Sequence, residues 1–108
     1  MFDDFAVSVD RDADQTVVRV RGDLDNYTAP ELRTVIAHIM VDPPRQLTID
    51  LVEVGFMDSS ALSVLVATHH LTEAAGVGYL IDPPAPLVMK PLVLSGLDQM
   101  LPLRRRED

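Results

Sequence analysis

The start of the chain alternates apolar and polar residues in the way that β-strands do. The alternation is partial over positions 5–9 and clean over positions 16–21, with a polar turn between the two stretches. Val18 and Val20 fall on one face of the second stretch, and arginines fall on the other. This pattern predicts a hairpin whose second strand has one face in water and ends at Gly22.

A helix is predicted to follow the polar segment 23–28. Thr28 is a favoured N-cap residue, Pro30 suits the first turn, and Glu31 completes a capping-box pattern with the threonine. The apolar residues then recur at the i, i+3, i+4, i+7 spacing of one buried helix face, and they are Leu32, Val35, Ile36 and Ile39. The Asp-Pro-Pro that follows should end this helix.

Positions 47–52 are apolar and rich in β-branched residues, which indicates a buried strand. A second helix is predicted soon after it, with Asp58 as the N-cap. The helix should run to about residue 75, because Gly76 there suits the left-handed position that follows a helix end.

The apolar residues of this second helix fall on two opposite faces. Leu62 and Leu65 share one face, and Val64 and Ala67 share the other. We expect Leu62 and Leu65 to face the sheet, and we expect Val64 and Ala67 to lie on a more open side.

The last third of the chain is broken by prolines. A short strand is predicted over 77–81, and a weakly helical pattern covers 87–95, where Pro91 should kink or divide any helix. Positions 100–103 suit an edge strand, in which a proline is tolerated. Strands that alternate with helices after an opening hairpin predict an α/β fold with a mixed sheet and helices packed mainly on one face.

Composition agrees with one folded domain over 1–108, with a core over about 5–103 and a charged tail at 104–108. The chain of 108 residues is 47% apolar and has a mean hydropathy of +0.14, which excludes a disordered chain. It has no cysteine, so neither a disulfide framework nor a thiolate site is expected. The acidic N-terminus is unlike a signal peptide, and no apolar run could span a membrane, so we expect a cytoplasmic protein.

Charge argues against a nucleic-acid partner. Acids outnumber bases by 17 to 9 and give a net charge of −8, which would repel a polyanion. The one basic cluster, at 104–106, suits a solvated tail.

Several enzyme and metal classes lack the residues that they need. No phosphate-cradling or dinucleotide-binding glycine motif is present, and the serines lack the flanking glycines of a hydrolase elbow. His69 and His70 point about 100° apart on a helix, and His38 lies on another, so no metal site is expected. Asp23 and Asp25 are better suited to a solvated loop than to acid–base catalysis. The sequence thus predicts no enzyme activity and no cofactor.

The junction at 58–60 places an acid and two hydroxyls on a helix N-terminus. A lone Asp-Ser-Ser is most often a helix cap. The free N–H groups and the positive dipole end also make this position tolerant of an added phosphate.

Three segments together resemble the STAS domains of bacterial anti-sigma factor antagonists. They are Phe-Met-Asp-Ser-Ser-Ala-Leu at 56–62, Leu-Thr-Ile-Asp-Leu at 47–51 and Gly-Asp-Leu-Asp-Asn-Tyr-Thr-Ala at 22–29. The resemblance covers about 5–103 and implies the same mixed sheet with helices. The family's C-terminal helix should be shortened or absent here, and Ala61 stands where the family usually has glycine.

The resemblance also implies a function. In such proteins the unphosphorylated antagonist binds an anti-sigma factor that is also a serine kinase, and so releases a sigma factor for transcription. The kinase then phosphorylates the first serine after the aspartate, and a serine phosphatase resets the switch. Carried over, the phosphorylated residue is Ser59, with Ser60 as the alternative. The implied partner-binding residues are Asp23, Asp25, Asn26, Thr28, Asp58, Ser59 and Ser60.

Two other functions remain open at this point. One is a STAS scaffold that is not phosphorylated, and the other is a regulatory domain that senses a small ligand. Either a monomer or a weak dimer is compatible with the sequence.

Overall fold

The computed structural model describes residues 4–105. Its elements in chain order are β1 Ala6–Arg11, β2 Gln15–Leu24, α1 Ala29–Ile39, β3 Gln46–Met57, α2 Ser59–Ala75, β4 Gly78–Asp82 and α3 Lys90–Ser95, followed by a 3-10 turn at Leu97–Gln99. The predicted helices and the first four predicted strands are present, although several boundaries differ, and the predicted edge strand at 100–103 does not form.

The four strands form one mixed sheet in the order β1-β2-β3-β4. β1 and β2 are antiparallel, and β3 runs parallel to both β2 and β4. One face of the sheet is buried, with Val18, Val20, Leu47, Ile49 and Ile81 in the core. The other face carries charged side chains, and Arg19 there contacts Asp10 and Asp50 at 3.7 Å each. The predicted α/β fold with helices mainly on one face is confirmed.

The prediction that the second strand ends at Gly22 is wrong, because β2 continues to Leu24. Gly22 adopts φ +96°, and the register between β2 and β3 shifts beside it. A Cβ atom at this position would lie 2.9 Å from Cα of Phe5. Glycine is therefore needed for a bulge that lets the strand continue, so Asp23 and Leu24 belong to β2 rather than to a loop.

α1 buries the predicted stripe. Leu32, Ile36 and Ile39 are buried, and Val35 is half-buried beside them. α2 ends as predicted at Gly76, which has φ +70°.

The prediction for the buried face of α2 is partly wrong. Leu65 is buried as expected, but Val64 is also buried, at 1% exposure, and Leu62 is only half-buried. The buried stripe runs between the two predicted faces and includes Thr68 and Thr72. Each threonine hydroxyl donates to a main-chain carbonyl one turn earlier, at 2.7 and 2.9 Å, which satisfies it within the core.

Pro91 lies at the start of α3 and does not divide it, so the helix covers only the second half of the predicted segment 87–95. α3 begins at Lys90, so the proline lies in its first turn, where a missing N–H is not needed. α3 has six residues. It is not the family's C-terminal helix, which was expected to be shortened or absent after the last strand, and the described residues 104 and 105 at that place are not helical.

The predicted edge strand at 100–103 is reduced to a single bridge between Leu103 and Ile81. Arg104 continues this contact by donating its main-chain N–H to the carbonyl of Ile81 at 2.7 Å, and its guanidinium contacts Asp82. The rest of the predicted charged tail, 106–108, lies outside the described residues. Between positions 4 and 105, no helix is long and apolar enough to cross a membrane.

Candidate functional site

β3 leads directly into α2 through Asp58. The Asp58 backbone is extended, at φ −124°, and its Oδ1 accepts hydrogen bonds from the main-chain N–H groups of Ser60 at 2.8 Å and Ala61 at 3.4 Å. These bonds satisfy two of the donors that a helix N-terminus leaves free. The predicted N-cap is confirmed.

The ends of β2 and β3 lie side by side at this edge of the sheet. Asp23 pairs with Phe56 in the parallel register, and Asp58 donates its main-chain N–H to the carbonyl of Leu24 at 3.3 Å. The Asp23 carboxylate lies over Gly55, where an added Cβ would be 3.9 Å from Oδ1. The segment after β2 and the junction after β3, which are distant in sequence, therefore belong to one surface.

The turn between β2 and α1 is organised by Asp25 rather than by a capping box. Oδ1 of Asp25 accepts from the N–H groups of Tyr27 at 2.9 Å and Thr28 at 3.1 Å. Thr28 does occupy the N-cap position, but its side chain makes no capping bond, and its hydroxyl donates instead to the carbonyl of Asp23 at 2.7 Å. The predicted capping role of Thr28 with Glu31 is wrong, because the hydroxyl ties the turn back to the strand.

Electrostatics at the turn favour an ionised Asp25. The N–H of Tyr27 holds the pKa of the Asp25 carboxyl below its usual value of 3.8, while desolvation of the carboxyl acts in the opposite direction. Tyr27 itself is 86% exposed, so its ring extends from the turn into solvent. The turn therefore presents a fixed negative charge beside an exposed aromatic ring.

The two serines of the junction differ in accessibility. Ser59, the first residue of α2, is exposed, whereas Ser60 is half-buried with its N–H bound to Asp58. Ser63 donates its hydroxyl to the carbonyl of Ser59 at 3.1 Å. The first turn of α2 contains no acid, so Asp58 is the carboxylate that interacts with its dipole.

The site residues expected from the sequence fall on the two bonded segments. Asp23 and Asp25 are half-buried, Asn26 is exposed and Thr28 is half-buried on the β2 side; Asp58, Ser59 and Ser60 form the junction on the β3 side. The structure brings these segments together through strand register and the bond between Asp58 and Leu24.

His69, His70 and the half-buried Tyr79 contact one another or the main chain of α2. The rings of His69 and His70 are 5.5 Å apart, and no group of three or more His, Cys, Asp or Glu side chains in 4–105 could hold a metal ion. The Tyr79 hydroxyl donates to the carbonyl of Leu65 at 2.9 Å, and burial raises the pKa of Tyr79.

Sequence reasoning missed two apolar surfaces that flank the junction. A groove of about 520 Å³ follows α2 and is lined by Ser59, Leu62, Ser63, Val66, Ala67, His70 and Leu97. A second concavity of about 320 Å³ is lined by Gly55, Phe56, Met57, Leu87, Val88, Lys90, Pro91 and Leu94. The signal available in the sequence was the set of large apolar residues in the proline-broken segment 87–95.

Comparisons with known proteins show which family this chain belongs to. A protein-family model described as the STAS domain matches residues 6–108. The chain belongs to the STAS domain family. The crystal structure of an anti-sigma factor antagonist from Mycobacterium paratuberculosis is similar, at 32% identity and a TM-score of 0.84 over 94% of this chain and 86% of that one.

Two further proteins resemble this chain, one in part of its sequence and one in its fold. An anti-sigma-B factor antagonist of Listeria monocytogenes is 40% identical over 57 residues, which is 53% of this chain and 50% of that protein. This STAS chain thus spans about half the length of the curated relatives it matches. SpoIIAA of Bacillus, solved in a phosphorylated form, has the same fold at 20% identity, with a TM-score of 0.73 over 95% of this chain and 93% of that one.

Proposed function

We propose that this STAS domain is an anti-sigma factor antagonist whose binding to an anti-sigma factor is switched by phosphorylation of Ser59. The observation that carries the proposal is the exposed position of Ser59 on the first residue of α2, beside the Asp58 cap. A kinase active site can reach this hydroxyl directly. Ser60 is the poorer acceptor because it is half-buried and its main chain is bonded to Asp58.

The partner surface consists of the Asp23 to Thr28 segment and the first turn of α2. Its backbone is held by bonds that join Asp58 to Leu24 and Thr28 to Asp23. A surface that is already ordered loses little conformational entropy on binding. Its three carboxylates, on Asp23, Asp25 and Asp58, match a partner surface of positive charge.

The proposed partner is an anti-sigma factor with serine kinase activity, and a serine phosphatase would reset the switch. Names of relatives support the antagonist role, and the phosphorylated form of SpoIIAA supports the modification. Binding of the unmodified domain would occupy the anti-sigma factor and so release its sigma factor. The domain itself is proposed as a binding module and not as an enzyme.

Phosphate at Ser59 would act on the partner rather than on the fold. It adds about −1.5 to −2 charges at pH 7, next to the Asp58 carboxylate. The N–H groups of Ser60 and Ala61 already bind Asp58, so the phosphate would meet solvent and the partner. Like charge and bulk at the centre of the contact surface would lower affinity.

Co-purification from the host with phosphopeptide mapping tests this function. Tagged wild type should divide into a fraction that carries phosphate on Ser59 and has lost the partner, and an unmodified fraction that retains a kinase-like anti-sigma factor. Ser59→Ala should lose the phosphate and keep the partner, and Ser63→Ala, a control one turn further along the exposed side of α2, should behave as wild type. Absence of both partner and phosphate would favour a scaffold role instead.

A further inference from the structure

Three large apolar side chains surround the concavity next to the junction and remain in contact with water. Phe56 is 49% exposed, Leu87 is 84% exposed and Leu94 is 78% exposed. All three line the same depression of about 320 Å³, between the end of β3 and the segment around α3. A cluster of this kind is typical of a protein-binding surface, because exposed apolar area that is brought together favours association.

The same concavity carries a positive charge. Lys90 lines it and is the only lysine of a chain whose net charge is −8. Lys90 takes part in none of the four ion pairs formed among residues 4–105. The residue is exposed, so a carboxylate from outside the chain can pair with it.

The concavity is continuous with the acidic partner surface. Phe56 pairs with Asp23, and Met57, on the floor of the concavity, directly precedes Asp58. A molecule docked at the Asp58 junction would therefore extend over the apolar depression. The two neighbouring areas have opposite charge, which would fix the orientation of the docked molecule.

We propose that this concavity receives a bulky apolar side chain of the partner protein, with a neighbouring acidic residue of the partner paired to Lys90. The identity of the partner rests on the proposed function, whereas the chemistry of the anchor rests on the residues of the concavity. Fully desolvated apolar anchors of this kind carry much of the binding energy at protein interfaces. The contact would add affinity outside the site that phosphate modifies.

A protein segment suits the site better than a free small molecule does. Small-molecule sites bury about 70–90% of the ligand surface. Here Leu87 and Leu94 are exposed at the rim, so a small ligand would stay largely in water. A partner that also contacts the junction would cover the rim.

Peptide binding followed by amide NMR spectra of the isotope-labelled full chain tests the proposal. The probe is a short capped peptide with one leucine flanked by glutamates, and sister peptides replace the leucine by serine or the glutamates by lysine. The expected shifts map to Phe56, Leu87, Lys90 and Leu94. The serine peptide should bind about tenfold more weakly, and the lysine peptide about two- to fivefold more weakly.

Single-residue variants test the apolar contact and the charged contact separately. Leu94→Ser should weaken binding of the leucine peptide, whereas Val41→Ser, at a similarly exposed apolar residue after α1, should not. Lys90→Glu should reverse the preference between acidic and basic peptides, and Lys90→Arg should keep it. Melting temperatures confirm that each variant is folded.

Three outcomes would overturn the proposal. They are the absence of shifts at millimolar peptide, shifts centred on another groove, and equal binding of the leucine and serine peptides. Octanoate provides a further test. If octanoate binds the same residues more tightly than the leucine peptide does, the site binds a small amphiphilic acid and the proposal is wrong. Because no kinase is present, failure here is distinct from failure to find phosphate on Ser59.

Discussion

Asp58 donates its main-chain N–H to the carbonyl oxygen of Leu24 at 3.3 Å, and this bond joins the ends of β2 and β3. The Asp58 side chain accepts hydrogen bonds from the main-chain N–H groups of Ser60 and Ala61 and so caps α2. One residue thus connects the acidic turn, the strand end and the helix that carries Ser59. The arrangement brings segments that are far apart in sequence onto one surface, which is the proposed partner surface.

Loss of the Asp58 side chain should destabilise the domain, because two N–H groups of α2 lose their acceptor. Asp58→Ala should lower the free energy of unfolding by about 0.5–2 kcal/mol. Asp58→Asn retains an acceptor oxygen and should lose less. Chemical denaturation measures both, and equal stability of Asp58→Ala and wild type would show that the cap contributes nothing.

The buried face of α2 can be tested in the same way. Val64→Ala removes two methyl groups from a buried site and should cost about 2 kcal/mol. Leu62→Ala removes more atoms from a half-buried site, yet it should cost less than the change at Val64. Ala67→Ser, on the exposed side, should stay within about 0.5 kcal/mol of wild type. A larger loss of stability for Leu62→Ala than for Val64→Ala would instead support the buried face that was expected from the sequence.

The missed face of α2 shows where periodicity alone was insufficient. Counting apolar residues ignored Thr68 and Thr72, whose hydroxyls are satisfied by their own helix and can be buried. The α1 stripe was predictable because its inner residues are all apolar. The end of β2 was not predictable, since the bulge at Gly22 depends on the close approach of Phe5, which no local pattern reveals.

The candidate site was predictable in part. The Asp58 cap follows from local chemistry, because a favoured N-cap residue precedes a helical pattern. The role of Asp25 in place of Thr28 depends on how the turn is tied to the end of β2. The exposure of Leu87 and Leu94 depends on how the segment around α3 packs, so the apolar concavity could be found only in three dimensions.

Acid should weaken the turn that Asp25 organises. Its pKa is lower in the folded chain than its usual value of 3.8, so its stabilising effect is complete above that value and is lost as the pH falls through the folded pKa. The difference in melting temperature between wild type and Asp25→Asn should therefore shrink on going from neutral pH to about pH 3.

Asp12 provides the matched control for this titration. Its pKa is also lowered, by the N–H groups of Gln15 and Asp14, in the hairpin turn away from the site. Asp12→Asn should show the same pH trend in melting temperature without any change in partner binding. A difference between wild type and Asp25→Asn that is independent of pH would contradict the assignment.

The acidic surface should make partner binding sensitive to salt. Asp23→Asn and Asp25→Asn should each weaken binding by about two- to fivefold at low salt, mainly through slower association. The loss should diminish as ionic strength rises, because salt screens the charges. Asp12→Asn removes the same charge elsewhere and should bind as wild type. Unchanged affinity of both site variants at low salt would place the partner on another surface.

The most direct test of the switch is the affinity of Ser59 variants for the co-purified anti-sigma factor, measured by calorimetry beside melting temperature. Ser59→Asp should bind about tenfold or more weakly than wild type while its melting temperature stays close to that of wild type. Ser59→Ala should bind as tightly as wild type and should not be released by ATP, and Ser60→Ala should still be phosphorylated and released. Binding of Ser59→Asp with the affinity of wild type, or phosphate found on Ser60 alone, would contradict the account.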